Sequence, residues 1–410
     1  MKNIKIDFDV LEMMIFFWES VASKDKMGDD YFMSIAEKPQ MEVVYNEDFS
    51  KDSVRRVMSA ISNREKLNNR TGIFLSNPEV EVGYLWGNPA EIGNRTDFSI
   101  TQSVDIPTIT GMKSRAAKMQ DKLLDWRYKT DRMNILLEAK TCCIELIYNK
   151  ALLLELERRL RHARTIAEGY EARLKAGDTN QLEYNKIKLN LASVEGEISR
   201  VQVDRKALLV RLKRLNGGKE IVFDESRYTE IVLPQSFSVW FDQVAEKNPQ
   251  LAYAREEVAA SKQQVALSRA AGLPVFSAGY VSEKVGSERF QGVSFGISVP
   301  LWENKNRVKQ AKASVRAAEM RETDSRQQLY SELQLLYERA AGLKTTAENY
   351  RRLLTTSDNA DLLKKALDAG EISLLDYIVE MGLYYDTVSR AMEAERDYQQ
   401  TFAELSAVDL

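Results

Sequence analysis

The sequence contains very few of the residues that build reactive sites. Among 410 residues there are two cysteines, the adjacent Cys142 and Cys143, and one histidine, His162. Adjacent cysteines are poorly placed for a disulfide, and their helical context predicts buried apolar side chains. His162 lies among arginines, which predicts a solvated helix surface. Neither a metal-ligand cluster, nor a Ser/His/Asp set, nor a phosphate-binding Gly-rich Lys-Ser/Thr loop is evident, so we predict no catalytic site, metal or cofactor.

The sequence also lacks an excess of one charge and any long apolar run. Its 58 basic and 61 acidic side chains leave a net charge of −3, which gives no reason to expect nucleic acid as a partner. The sequence contains no run of about 18 apolar residues, so no transmembrane helix is predicted. The apolar patch 10–18 is interrupted by Glu12 and preceded by Asp7 and Asp9, which makes a poor secretory signal. We therefore treat residues 1–50 as a divergent segment of unknown fold.

Proline is missing from two long tracts, 108–233 and 301–410. Because proline interrupts helix interiors, both tracts are predicted to contain long helices. Alternating steps of three and four residues meet apolar side chains along 112–154 and again along 191–215, with few exceptions. This period is typical of left-handed coiled coils.

A short break separates the two apolar stripes. Gly177 can end one helix in a left-handed conformation, and Asp178 or Thr179 can cap the next. The break is therefore predicted to be the tip of an antiparallel helical hairpin.

The sequence is internally duplicated. Several motifs recur at one offset, 193 positions (370 − 177 = 193), which is the signature of a two-fold repeat. The pairs are Ile106-Pro107 with Val299-Pro300, Ala176-Gly177 with Ala369-Gly370, and Leu182-Glu183-Tyr184 with Leu375-Asp376-Tyr377. A second hairpin tip is thus predicted around Gly370.

Each copy opens with two segments in which apolar and polar residues alternate. They are 80–86 and 97–106 in the first copy, and 274–282 and 292–299 in the second. A period of two predicts strands with one apolar and one polar face, and the polar, glycine-containing links 87–96 and 283–290 predict hairpin loops. The alternative is a soluble α+β protein with small two-stranded sheets, whose apolar faces would need a covering layer.

Four strands cannot close a barrel in lipid, because open edges would leave backbone N–H and C=O groups unpaired. Two chains would supply eight strands with a filled interior, and three would supply twelve with space for a lumen. Glycine and serine on the polar face favour an open bore. We predict a trimer, although strand counting alone does not exclude a dimer.

Residues from about 70 to 410 resemble the TolC-like outer-membrane efflux proteins. The resemblance depends on the order, spacing and duplication of the elements together with short motifs. These motifs are Asn77-Pro78-Glu79-Val80, Arg173-Leu174-Lys175-Ala176-Gly177, Asn248-Pro249-Gln250-Leu251, Leu273-Pro274, Gly292-Val293-Ser294 and Val299-Pro300-Leu301-Trp302.

The resemblance implies a mainly α fold with a small β part. Three chains would form a twelve-stranded transmembrane β-barrel in the outer membrane of a Gram-negative-type bacterium, with its lipid, and a long α-barrel in the periplasm. The homotrimer would be a channel, not an enzyme. It would serve a tripartite efflux system with a periplasmic adaptor and an inner-membrane transporter, conducting small molecules or metal ions. A type I protein-secretion duct is the alternative in transport, and a soluble coiled-coil scaffold is the alternative of another class.

The resemblance also assigns the two hairpin tips to adaptor docking and the gate. The tip residues are Gly177, Asp178, Thr179, Leu182 and Glu183 in the first copy, and Gly370, Glu371, Ser373, Leu375 and Asp376 in the second. The four acids among them would ring the entrance in a trimer and favour cations. The alternative is that they only cap helix termini.

The predicted organisation divides the chain into four parts. The segment 1–50 is followed by a first repeat, 51–216, an inter-repeat linker, 217–239, and a second repeat, 240–410. The first repeat is expected to hold a short helix, a β-hairpin at 78–107 and a helical hairpin at 111–216. The second is expected to hold a helix at 240–271, a β-hairpin at 273–302 and a helical hairpin at 304–408.

Overall fold

The computed structural model of the chain describes residues 53–71, 73, 76–104, 107–302, 304–356 and 360–410. The predicted divergent segment 1–50 lies outside the described residues, as does Ile106 at the end of the second predicted strand.

The chain is mainly helical with four strands, as predicted. The first half contains α1 (Ser53–Asn69), β1 (Glu79–Leu85), β2 (Arg95–Val104), α2 (Pro107–Ala176) and α3 (Gln181–Leu215). The second half contains α4 (Phe237–Lys247), α5 (Pro249–Ala270), β3 (Val275–Val285), β4 (Glu288–Ser298), α6 (Arg307–Thr356), α7 (Ala360–Asp368) and α8 (Leu374–Leu405). Short 3₁₀ turns lie at Ala90–Ile92 and Ala407–Asp409.

The single helix predicted at 240–271 is wrong, because the chain breaks at Asn248. This residue has extended backbone angles (φ −62°, ψ 120°) and caps α5, with its side-chain oxygen accepting from the N–H groups of Gln250 and Leu251 at 2.9 and 3.1 Å. A residue that precedes proline is disfavoured in the helical region, and Pro249 fits the first position of the new helix. The sequence Asn-Pro therefore ends one helix and starts the next.

The long link predicted at 283–290 is also wrong. Strand β3 continues to Val285 and β4 starts at Glu288, so only two residues form the turn. Gly286 supplies the left-handed conformation (φ +58°) that a two-residue turn requires. The polar residues misread as a loop are paired across the hairpin, with Lys284 opposite Arg289. Charged residues are tolerated at the ends of strands. The polarity of these residues therefore did not show where the pairing between β3 and β4 ends.

All four strands join in one antiparallel sheet of order β1-β2-β3-β4. The central pairing is between β2 and β3, with Ile100 opposite Tyr280 and Val104 opposite Phe276. The hairpins of the two halves therefore form a single sheet instead of two separate two-stranded ones.

The described residues form two compact units. One comprises Arg132–Asp242 and Tyr330–Leu410, and the other comprises Val57–Asp131 and Gln243–Leu329. In the first unit, Leu156 is fully buried between Tyr148, Leu152 and Val201. The coiled-coil periodicity seen in the sequence accounts for this helix-on-helix core.

Cys142 lies in the core of the same unit, as predicted. It packs with Leu146 and Leu212 and is 1% exposed. Burial raises the pKa of the Cys143 thiol to about 12, so this side chain remains protonated and behaves as a small apolar group.

The predicted linker 217–239 is held against the helices of this unit. Lys150 contacts the Asp224 carboxylate at 2.7 Å, Gln399 donates to the carbonyl of Thr229 at 3.2 Å, and Tyr337 donates to the carbonyl of Pro234 at 2.8 Å. These contacts reach α2, α8 and α6 in turn, so the connection is attached to the helices at three points.

Candidate functional site: the sheet face and the hairpin tips

One face of the sheet is apolar across all four strands. Val80 lies opposite Ile100, Ile100 opposite Tyr280, and Tyr280 opposite Val293. Directly paired residues share a face of a sheet, so the alternation in each strand adds up to one continuous apolar surface. It is exposed in the single chain, with Val293 and Phe295 at 75% and 83%. Soluble monomers rarely leave a large apolar patch uncovered, and such a patch marks a protein or membrane contact.

The opposite face carries small and charged residues. A Cβ atom at Gly279 would come within 2.6 Å of the Ile100 carbonyl oxygen, and one at Gly296 within 2.5 Å of the Ser277 hydroxyl. Arg95 pairs with Glu283 on this face at 2.9 Å. Glycine at these positions leaves room for neighbouring polar side chains, as the sequence pattern indicated.

Both outer edges of the sheet are open within the described part of the chain, where no strand pairs with the free side of β1 or β4. An open edge presents unpaired N–H and C=O groups and is a template for pairing with another strand. The apolar face is exposed and the two edges are unpaired within the described residues, so each is a surface to which another molecule could bind.

The first hairpin tip is built on Gly177, whose φ is +82°. The N–H groups of Gly177 and Asp178 donate to the carbonyls of Leu174 and Arg173 at 3.1 and 2.9 Å, which satisfies the last turn of α2 in a Schellman arrangement. The predicted cap at Asp178 or Thr179 is wrong: Asn180 caps α3, since its side chain accepts from the Glu183 N–H at 2.9 Å. After the left-handed Gly177, the residue with the extended backbone of a helix cap is Asn180, which follows Asp178 and Thr179.

Thr179 instead contributes to the tip by donating its hydroxyl hydrogen to the Glu183 carboxylate at 2.6 Å. Glu183 thereby gains a local partner within the turn, while Asp178 is exposed.

The second tip repeats the same turn. Gly370 has φ +73°, and the N–H groups of Gly370 and Glu371 donate to the carbonyls of Leu367 and Ala366 at 3.0 and 2.9 Å. Ser373 then caps α8 in a capping box: its hydroxyl accepts from the Asp376 N–H at 3.1 Å, and the Asp376 carboxylate accepts from the Ser373 N–H at 3.3 Å. Each cap lies three residues after its glycine, so the two tips have the same backbone plan.

The structure brings the two predicted tips together. Tyr170 on α2, Ile187 on α3 and Leu374 on α8 form one buried cluster that joins them. Sequence reasoning missed this cluster, although Leu374 stands beside the predicted Leu375. The two leucines that it did select, Leu182 and Leu375, are instead 66% and 53% exposed, which leaves them free to contact another molecule.

His162 does not lie on a solvated helix surface, so that prediction is wrong. Its Nε2 is 2.7 Å from the hydroxyl of Tyr377, and its Nδ1 is 3.1 Å from the hydroxyl of Tyr385. The ring meets Tyr377 edge-on, with centroids 5.8 Å apart. The neighbouring arginines suggested an exposed helix, but the partners come from α8, more than two hundred positions along the chain.

A buried ion pair lies beside the histidine. Arg159 contacts Glu155 at 3.1 Å, and their side chains are 8% and 2% exposed. The same guanidinium donates to the carbonyl of Tyr385 at 2.9 Å and to the hydroxyl of Ser389 at 3.1 Å. These hydrogen bonds tie α2 to α8 and satisfy a charge that would otherwise be costly to bury.

The region from α4 to the end of the chain carries the decisive match. Residues 240–409 match the family model described as outer membrane efflux protein. In this part, the chain is similar to the outer membrane efflux protein family. Members of that family are channels, not enzymes. The matched residues include β3, β4 and the second hairpin tip.

Solved structures of channels share the fold over most of the chain. The CmeC outer membrane channel of Campylobacter jejuni is 14% identical. The match covers 89% of this chain and 83% of the CmeC chain, with a TM-score of 0.69. The MtrE outer membrane channel of Neisseria gonorrhoeae is 13% identical. The match covers 88% of this chain and 87% of the MtrE chain, with a TM-score of 0.70. The outer membrane protein VceC of Vibrio cholerae is 13% identical. The match covers 88% of this chain and 93% of the VceC chain, with a TM-score of 0.69. No curated protein matches the chain in sequence.

Two further properties bear on the site. Among the described residues, no helix combines the length and the apolar character that a membrane crossing needs. Over the same residues, His, Cys, Asp and Glu nowhere gather in a group of three or more that could hold a metal ion.

Proposed function

We propose that the chain is one subunit of a homotrimeric outer-membrane channel that conducts small molecules or metal ions in a tripartite efflux system. The observation that carries this proposal is the continuous apolar face of the four-stranded sheet, exposed and flanked by two open edges. Lipid would cover the apolar face, and the edges would pair with those of neighbouring chains. Three chains would supply twelve strands, which encloses a lumen lined by the polar face.

The exposed face of α3 supports the same assembly. Leu182, Leu189, Val203 and Val210 lie at multiples of seven residues and are 63–72% exposed. A seven-residue apolar seam is the pattern by which one helix packs against another. In the proposed trimer, this seam would face a helix of the neighbouring chain in an α-barrel.

The assembly can be tested by disulfide trapping between β1 and β4. Within one chain these strands are separated by β2 and β3, so a bond between them must link two chains. In a background with both native cysteines replaced by alanine, Val82→Cys would be combined in turn with Val293→Cys, Phe295→Cys and Ile297→Cys. We expect one combination to give a covalent ladder that ends at the trimer, because sulfurs bond only when the Cα atoms lie within about 7 Å.

The matched controls for this trapping experiment are the single-cysteine variants, which should give no ladder. A ladder that ends at the dimer would contradict the twelve-stranded arrangement. Monomers in every combination, from protein that fractionates as soluble, would favour the soluble coiled-coil scaffold.

The exposed tip leucines, Leu182 and Leu375, fit the docking of a periplasmic adaptor that connects the channel to an inner-membrane transporter. A type I protein-secretion duct would use the same surfaces, and the fold does not separate the two systems. Energy in either case comes from the transporter.

The acids at the tips give a prediction for ion selectivity. Glu183 and Asp376 accept hydrogen bonds inside their own turns, whereas Asp178 and Glu371 are exposed. If three copies ring the entrance, Asp178→Asn and Glu371→Gln should reduce the preference for cations, because a ring of carboxylates attracts them. The measurement is the reversal potential of single channels in a salt gradient.

Asp376→Asn is the control for this selectivity test, since it removes a charge that also serves the capping box. If Asp178→Asn and Asp376→Asn both leave the reversal potential unchanged, the tip acids do not set the ion selectivity.

A further inference from the structure

The single histidine of the chain connects two different helical hairpins. His162 belongs to α2, whereas its partners Tyr377 and Tyr385 belong to α8, and Tyr377 lies one turn after the second tip. We propose that His162, Tyr377 and Tyr385 form a pH-sensitive latch that holds the two hairpins together at neutral pH and releases them as the pH falls. The consequence for conduction rests on the proposed channel function, because the hairpins that separate are those of the proposed gate.

The direction of the effect follows from the hydrogens available. Burial raises the pKa of Tyr385 to about 12 and also raises the pKa of Tyr377, so both hydroxyls keep their hydrogens. A neutral imidazole has one donor and one acceptor nitrogen. The Tyr377 hydroxyl can then donate to Nε2, while Nδ1–H donates to the oxygen of Tyr385, so the buried Tyr377 hydrogen has an acceptor.

Protonation removes the acceptor. Both ring nitrogens become donors, so the Tyr377 hydroxyl must accept from Nε2 and send its own hydrogen elsewhere. Tyr377 is 2% exposed, and His162 is its only hydrogen-bond partner among the described residues. A buried donor without an acceptor destabilises the arrangement that contains it. The latched form therefore binds the extra proton less readily than the separated form.

The surrounding charges do not reverse this direction. On α2 they form the buried Glu155–Arg159 pair, with Arg159 lying 4.5 Å from the ring centre of Tyr385. The groups that act on the two hydroxyls from all the packed elements are Glu155, Arg158 and Arg159 of α2, Asp368 of α7, and Tyr377, Tyr384 and Tyr385 of α8. The set holds two carboxylates and two guanidinium groups, so neither sign of charge is in excess around the two hydroxyls.

Free imidazole takes up a proton between neutral and mildly acidic pH, and the latched and separated forms are compared across this range. Above that range the latched form is favoured, because it binds no extra proton. Below it the separated form gains stability with each further drop in pH.

Hydrogen exchange of the full-length protein tests the latch directly. Exchange rates of peptides from residues 156–176 and 371–390 would be compared between the natural protein and His162→Gln at the same pH. The intrinsic effect of pH on amide hydrogen exchange is then the same in both proteins and cancels in the ratio. Glutamine keeps one donor and one acceptor but does not titrate. We expect the ratio of natural to variant rates to rise about tenfold between pH 7.5 and pH 5.5, since each pH unit below the histidine range favours the protonated form by up to about a factor of ten.

Two phenylalanine variants identify the hydroxyl responsible. Tyr377→Phe removes the hydroxyl that bonds Nε2 at neutral pH, so its exchange should already be fast at pH 7.5 and its pH-dependent rise should be smaller than in the natural protein. Tyr184→Phe is the matched control at the equivalent position of the first tip, and it should retain the rise. A ratio that stays constant or falls on acidification overturns the latch, as does equal behaviour of the two phenylalanine variants.

Bilayer conductance separates this proposal from the channel itself. Opening on acidification in the natural protein, but not in His162→Gln, supports the latch as a control of the gate, and an equal response of both overturns it. Absence of pores at every pH would refute the channel, and the exchange rates would then decide the latch alone.

Discussion

Arginine in place of Phe295 is expected to abolish stable insertion of the protein in the outer membrane. Phe295 is 83% exposed on the apolar face of β4. A charged residue on the lipid face of a membrane strand costs about 2–4 kcal/mol near the middle of the bilayer, and a trimer would carry three copies. The total rivals the entire stability of a typical folded protein, about 5–15 kcal/mol. The measurement is the amount of heat-modifiable oligomer in purified outer membranes.

Ser294→Arg is the matched control, because Ser294 is the neighbouring residue of β4 and points to the opposite face. Its arginine would enter the proposed aqueous lumen, so oligomer yield should remain near the natural level while conductance changes. Equal yields from Phe295→Arg and Ser294→Arg would show that lipid does not cover the apolar face.

Glu155→Ala is expected to give the largest loss of stability among single changes in the helical region. Glu155 neutralises Arg159 inside the protein, where their side chains are 2% and 8% exposed. Removing one member of a buried pair leaves an uncompensated charge and costs about 3–5 kcal/mol. We expect a clear fall in the guanidinium chloride midpoint, measured from the helical circular dichroism of the detergent-solubilised protein.

Two further variants show whether burial is the cause. The exposed pair Asp386–Arg390 has the same spacing and side chains that are 56% and 62% exposed, so Asp386→Ala should change stability by no more than about 0.5 kcal/mol. The double variant Glu155→Met, Arg159→Leu removes both charges and should recover most of the loss. Equal midpoints for Glu155→Ala and Asp386→Ala would contradict the role given to burial.

Local patterns predicted the elements well where one side chain controls the backbone. Gly177 and Gly370 end their helices because a left-handed residue is needed there, and both positions were evident from the duplicated motif. The caps were placed less accurately. Asn180, and not Asp178 or Thr179, caps α3, because several residues in the turn have suitable side chains and only the path of the backbone selects one.

Predictions failed where the deciding partner is distant in the chain. The arginines around His162 suggested an exposed helix, yet Tyr377 and Tyr385 cover it from α8. Glu155 and Arg159 gave no local sign of burial, since charged residues four apart are common on solvated helices. The polar residues 283–290 suggested a loop, but pairing between β3 and β4 extends the strands through them.

The sequence alone determined the mainly helical composition, the alternation that gives the strands an apolar and a polar face, and the two glycine-based tips. These features depend on the conformational preferences of single residues and on short-range periodicity, which any segment carries within itself. Only the tertiary structure decided that the strands form one sheet with two open edges, that the tips share a buried cluster, and that the only histidine joins two hairpins. Those features depend on pairings between residues that can lie more than two hundred positions apart, and packing and hydrogen bonding across the folded chain select them.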